Sequence, residues 1–171
     1  MTLAFETRRA TPVDADQIAA AHVDSIRSLG ARVYAADVVD DWTGGRLAGD
    51  RNGDAYVHAM ERGETFYVAV GAVEGVSAIL GFASHLVADG RHRTAVYVRG
   101  VASRCGVGSA LLHLAEAQAL AAGARSLHVD ASLAAVDFYK ANGFDEISRG
   151  QHRLRSGRVM SCVVMRKDLE P

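Results

Sequence analysis

The chain has 171 residues, 49% of them apolar and only 2 proline, which describes a folded protein of ordinary single-domain size with room for a real core. Its formal net charge is −1, so bulk electrostatics favour neither nucleic acid nor an anionic membrane surface. No apolar run approaches bilayer length, the first ten residues lack a signal-peptide pattern, and two distant cysteines suit a reducing cytoplasm, the expected location.

In chain order, FETRRAT alternates and reads as a first strand. Thr11-Pro12 opens a helix with Asp14 and Asp16 in its first turn and Ile18, Ala21, His22 and Ile26 on one face, ending at Gly30. Val33 to Arg46 is ambiguous. A second short helix is expected there, carrying Tyr34, Val38, Val39 and Trp42, with a third turn around Tyr56 to Arg62. Glu64 to Val70 is a strong strand, GAVEGVS a turn, and Ala78 to His85 the returning strand of a hairpin. After the polar turn ADGRHR comes TAVYV, a buried strand from Thr94 to Val98. A helix follows from Val107, with Val107, Ala110, Leu111, Leu114, Ala117 and Ala121 on one face, and Gly123 stops it. SLHVD is a strand, Leu133 to Ala141 a short helix, and the remainder a pair of strands turning near Ser156-Gly157. There is no repeat, low-complexity tract or linker, and residues 1–171 read as one domain.

The chemistry is concentrated between TAVYV and its helix. Gly106 and Gly108 lack a Cβ and let a ligand approach the backbone. The first N–H groups of the helix have no intrahelical partner, and the macrodipole is positive there, so the turn suits a phosphate. A dinucleotide fingerprint is the rival reading, with Asp130 at about the right distance. Leu111 stands where the third glycine should be, and a long turn from Arg99 to Cys105 separates strand from glycines; both count against it.

YVRGVASRCGVGSALL resembles motif A of the GNAT (general N-acetyltransferase) superfamily at Tyr97, Val98, Gly106, Gly108, Leu111 and Leu112. Ser103 occupies the usual Gln/Arg position, and Gly100 sits where proline is common. DASLAAVDFYKANGF resembles motif B at Ala135, Phe138, Tyr139, Gly143 and Phe144, with Ser132 in place of Asn. The two patches span Thr94 to Phe144 in the right order and spacing. The resemblance implies an α/β (α+β) fold: a mixed, mainly antiparallel sheet with a central parallel strand pair splayed to hold acyl-CoA, and helices on both faces. It implies an N-acetyltransferase that uses acetyl-CoA as cosubstrate and no metal. The acceptor would be a small-molecule amine or a peptide N-terminus, attacking directly in a ternary complex. The alternative is a non-catalytic acyl-CoA-binding sensor of the same fold.

By the same resemblance, the main chain of Val96, Tyr97 and Val98 would hold pantetheine. The amides of Arg104, Cys105, Gly106, Val107, Gly108 and Ser109 would hold the pyrophosphate. Arg99 and Arg104 are candidate phosphate partners. Tyr139 would point its hydroxyl at the sulfur as general acid. The general base is placed at His92, ahead of His85 and Glu64; His128 and His22 are weaker candidates, and Cys105 is a remote candidate nucleophile. The apolar strand VMSCVVM suggests a homodimer through the C-terminal strands. No spacing of histidines and cysteines resembles a metal site.

Overall fold

A computed structural model of the chain describes residues 2–47 and 49–170. Seven strands form one sheet: β1 (Phe5–Arg9), β2 (Thr65–Val73), β3 (Val76–Ala88), β4 (Arg91–Val98), β5 (Ser126–Ser132), β6 (Asp145–Arg153) and β7 (Val159–Asp168). Five α-helices accompany them: α1 (Ala15–Ser28), α2 (Ala36–Thr43), α3 (Asp54–Glu61), α4 (Val107–Ala121) and α5 (Val136–Ala141). The strand order is β1-β2-β3-β4-β5-β7-β6. Every neighbouring pair is antiparallel except β4 and β5.

Both hairpins are longer than sequence alternation suggests, because their turns are tighter. Glu74-Gly75 and Asp89-Gly90 each place two successive residues at positive φ, between 50° and 79°, the geometry of a two-residue turn whose twist matches the strands. The strands therefore pair right up to the turns.

The sheet buries both faces. On one, α1 and α3 cover Phe66, Val68, Ile79 and Phe82 through Ile18, Ala21 and Ala59. On the other, α4 sets Val107, Leu111 and Ala115 against Ala69, Leu80 and Ala83. Leu112 and Ala119 reach the third cluster, formed with Leu127, Val129, Val163 and Met165. The buried stripe of α4 thus differs from the one expected: Leu112, Ala115 and Ala119 are buried, while Ala117 and Ala121 are exposed. That helix is apolar almost all round, so its periodicity does not select a face; close packing of small residues on the sheet does. Likewise α5 starts only at Val136, because the preceding residues form a turn in which Ala135 N–H donates to Ser132 O at 2.9 Å.

The apolar strand that suggested a dimer is β7. It lies inside the sheet with β5 on one edge and β6 on the other; Met160, Cys162, Val163 and Met165 are buried and Val159 is exposed. The strand left at the sheet edge is β6, which is mostly exposed and polar.

His22 belongs to the core rather than to a site. Its ring lies 4.1 Å from that of Tyr97 and edge-on to Phe82, and Nδ1 shares a hydrogen bond with the Tyr56 hydroxyl at 2.5 Å. Nε2 has no partner among the described residues. Burial, aided by the charge of Arg46, lowers the His22 pKa to about 3. A histidine depressed in the fold contributes stability above its unfolded value of about 6.5 and loses it as pH falls toward the folded one. Thermal melts should therefore show stability falling between about pH 6.5 and 3 in wild type, with a clearly shallower fall in His22→Phe. An unchanged slope in the variant would remove His22 as the cause.

Candidate active site

The sheet opens between β4 and β5. These two strands share one register pair, Arg93 with His128, and diverge beyond it. Arg99 N–H donates to Leu80 O at 2.8 Å. Because antiparallel bonding alternates, Arg99, Tyr97 and Ala95 bond toward β3, and the main-chain groups of Val96 and Val98 turn toward the gap. One of these is met: Val96 N–H donates to the Tyr139 hydroxyl at 3.1 Å. The Tyr139 oxygen is thereby held at the gap, and the residue is among those that line it. Burial raises the Tyr139 pKa above the ordinary phenol value, with Tyr97 adding to the rise and the Val96 amide opposing it. The group is a fixed proton donor throughout the neutral range.

At the mouth of the gap the turn into α4 offers a row of bare amides. Among the described residues, no acceptor meets the N–H groups of Arg104, Cys105, Gly106, Val107, Gly108 or Ser109; the first bond of the helix runs from Ala110 N–H to Gly106 O at 3.1 Å. Gly106 has φ +82°, which residues with a Cβ rarely adopt, and Arg104 takes φ 63° beside it. Gly108 is glycine for a different reason. A Cβ there would lie 2.9 Å from Cε2 of Phe138, so the α4 start and α5 touch through this position. Six bare amides at and just before the positive end of a 15-residue helix suit an anion.

The gap and the cleft beside α2 form one pocket of about 210 Å³, with Trp42, Glu64, Val96, Asp130, Tyr139 and Met160 among its lining residues. Asp130 is neutralised by Arg93 at 2.7 Å. Glu64, half-buried where β2 begins, lines both this cleft and a neighbouring cavity. Burial raises its pKa above the carboxylate range, against the opposing effects of Ser84 and Arg62.

The residues singled out from sequence separate into three groups. Val96, Val98, Tyr139 and the amides from Arg104 to Ser109 converge on one gap. Tyr97 stacks its ring on Phe82 in the core and gives its backbone to β3. His92 does not join them. It precedes Val96 by four residues, about 13 Å along a strand, and its Nδ1 lies 2.9 Å from Nε2 of His85, with the rings stacked. His85 lines the neighbouring cavity, and His128 pairs with Ser126 at 3.2 Å. Arg99 is consumed locally: its Nε donates to Ile79 O at 2.7 Å and its guanidinium sits 3.6 Å from Asp24. Arg104 stays exposed on the turn. The Cys105 thiol donates to Ser103 O at 3.4 Å. Sequence reasoning undervalued Glu64, because nothing local distinguishes a carboxylate at a strand start from a solvated one.

A sheet parted at its single parallel pair, beside a helix start lined with bare amides, is the acyl-CoA N-acyltransferase fold. The chain belongs to the GNAT acetyltransferase family: the family model described as an acetyltransferase (GNAT) domain matches residues 50–169. Among solved structures, it is similar to the GCN5-related N-acetyltransferase of Rhodopseudomonas palustris, with 30% identity, TM-score 0.77, and 99% of this chain and 97% of that one covered. It shares its fold with the PaiA N-acetyltransferase of Thermoplasma acidophilum in complex with coenzyme A, at 15% identity, TM-score 0.72 and 98% and 100% coverage. The same holds for the putative acetyltransferase yncA of Salmonella typhimurium with acetyl-CoA, at 19% identity, TM-score 0.67 and 98% and 95% coverage. No curated protein matches the sequence significantly. No helix among the described residues is long and apolar enough to cross a membrane.

Proposed function

We propose that the protein transfers an acetyl group from acetyl-CoA to a primary amine by direct attack within a ternary complex. The observation that carries this reading is the alignment of six bare amides, two outward-facing strand residues and one buried phenol along a single gap. The fit is chemical. The amides suit a pyrophosphate, Val96 C=O and Val98 N–H complement the amides of pantetheine, and the neutral phenol suits a sulfur leaving group. Relatives of the same fold carry coenzyme A and acetyl-CoA.

Acetyl-CoA, when bound, supplies a thioester that is already activated. The chain then needs three functions. The walls of the cleft hold the amine near the gap, which removes much of the entropic barrier. Glu64 takes the proton of the incoming ammonium, directly or through one water; its raised pKa brings its proton affinity closer to the working pH. Tyr139 hydrogen-bonds to the departing sulfur, and the Val96 amide steadies its oxygen as the proton is shared.

Glu64→Gln tests the base. Turnover near neutral pH is expected to fall about 10²-fold or more, and the deficit should narrow at high pH, where the amine is already deprotonated. Gln also removes the cost of ionising a half-buried carboxyl. That cost is absent below the unfolded pKa and grows as pH rises through the folded one, so the melting temperature at neutral pH should hold or rise. Thiol release measured against pH decides the point, and an unaltered profile would return the role to another residue. CoA binding without turnover on any amine would instead favour the sensor.

A further inference from the structure

We infer that the acceptor is a small free amine and not a polypeptide, because α2 is latched across the amine end of the cleft; this rests on the acetyltransferase reading above. Tyr34, just ahead of α2, donates its hydroxyl to Ser161 O of β7 at 2.5 Å and accepts from Leu133 N–H, just past β5, at 2.9 Å. One phenol thus ties the approach to α2 to two strands on the far side of the gap. A second tie lies in the β6–β7 turn. Arg158 reaches Asp37 at 2.7 Å and Asp41 at 3.0 Å, both on α2, and Ser156 donates to the same Asp41 carboxylate. Arg158 holds the Asp37 carboxyl below its ordinary range, so the tie persists under mild acid.

Between the two ties stands Trp42. Its ring meets Tyr34 edge-on at 5.7 Å and Tyr97 of β4 at 6.3 Å, and it lines the cleft. The amine end is therefore bounded by Trp42 of α2 on one side and by His152 of β6 and Met160 of β7 on the other, and the turn joining those strands is bonded to α2. An extended polypeptide would have to pass between them. The pocket that takes in both the gap and this end has about 210 Å³, below the range of roughly 300–1,000 Å³ typical of sites that take drug-sized ligands. Its lining favours a compact ammonium. Trp42 presents aromatic surface to a cation, Met160 adds apolar contact, and Glu64 supplies the carboxylate. The Arg158 ties are partly exposed and open to screening by salt, so this wall of the cleft is its breakable one.

Trp42 is the only tryptophan of the chain, so its fluorescence reports on this wall alone. The experiment compares wild type with Arg158→Ala in two measurements: acrylamide quenching of Trp42, and thiol release from acetyl-CoA with n-butylamine, phenethylamine and short peptides bearing a free N-terminus or lysine. Quenching should rise in Arg158→Ala. Wild type should use the better small amine at least about tenfold more efficiently than any peptide, in kcat/KM, and the variant should narrow that ratio while keeping small-amine turnover. A peptide used by wild type as well as the small amines would overturn the inference, and so would unchanged quenching in Arg158→Ala. If neither protein releases thiol with any amine, the acetyltransferase reading fails separately, and the quenching comparison still decides whether the latch exists.

Discussion

Gly108→Val is expected to weaken CoA binding by about a hundredfold or more, equivalent to roughly two lost charge-assisted hydrogen bonds. From sequence alone, the added side chain would be expected to stand against the phosphates and leave the fold intact. The structure points it elsewhere. A Cβ at this position lies 2.9 Å from Cε2 and 3.2 Å from Cζ of Phe138, and 3.5 Å from Cγ2 of Val98. Those residues belong to α5 and to the end of β4, the two elements that flank the gap. Valine therefore either drives the Phe138 ring toward the gap or levers the first turn of α4, and its bare amides, out of line. Overpacking of this kind costs about 1–3 kcal/mol. A drop in melting temperature of several degrees should accompany the loss of affinity, at about 2–4 °C per kcal/mol for a domain of this size. Calorimetry with CoA on the folded variant is the measurement; unchanged affinity would detach the α4 start from the cofactor.

Tyr139→Phe is expected to lower turnover by about 10²-fold, within the range for a lost general acid, with CoA affinity nearly unchanged. The ring itself is structural: it is 2% exposed and packs edge-on to Phe138 and Phe144. Phenylalanine retains that packing and removes one oxygen. The remaining loss is the bond from Val96 N–H, which should cost about 1 kcal/mol, because the amide faces a gap that water can enter. Burial makes outright transfer of the phenolic proton to a thiolate uphill, since the thiol pKa is about 8.5 and the phenol stands above its usual 10. The catalytic part is therefore a hydrogen bond strengthened as charge develops on sulfur, with the Val96 amide sharing the cost on oxygen. Single-turnover rates across pH separate this from a packing role. Full activity in Tyr139→Phe would leave the ring its structural function only.

Much of the local structure at the α4 and α5 end of the gap was legible before any coordinates. Gly106 at φ +82°, the helix start at Val107 and the aromatic doublet at Phe138 and Tyr139 are short-range features, fixed by steric limits and by spacing within one turn. The acceptor end was not. His92 was the favoured base because it stands near the start of the central strand, yet its ring stacks on His85, which pairs with Thr65, the residue after Glu64.

What the sequence determined by itself is the order of elements, the glycine turn ahead of α4 and the two motif patches, because each depends on neighbours within about a dozen residues. What only the tertiary structure decided is which face α4 buries, which carboxylate reaches the cleft and what closes it. The bond from Tyr34 to Ser161 spans 127 positions, and the ion pair from Arg158 to Asp37 spans 121. No local propensity encodes such contacts. They exist because the β4–β5 crossover sets β7 beside β5 and carries the β6–β7 turn around to α2, and packing of the sheet then brings chain ends together that the linear order keeps apart.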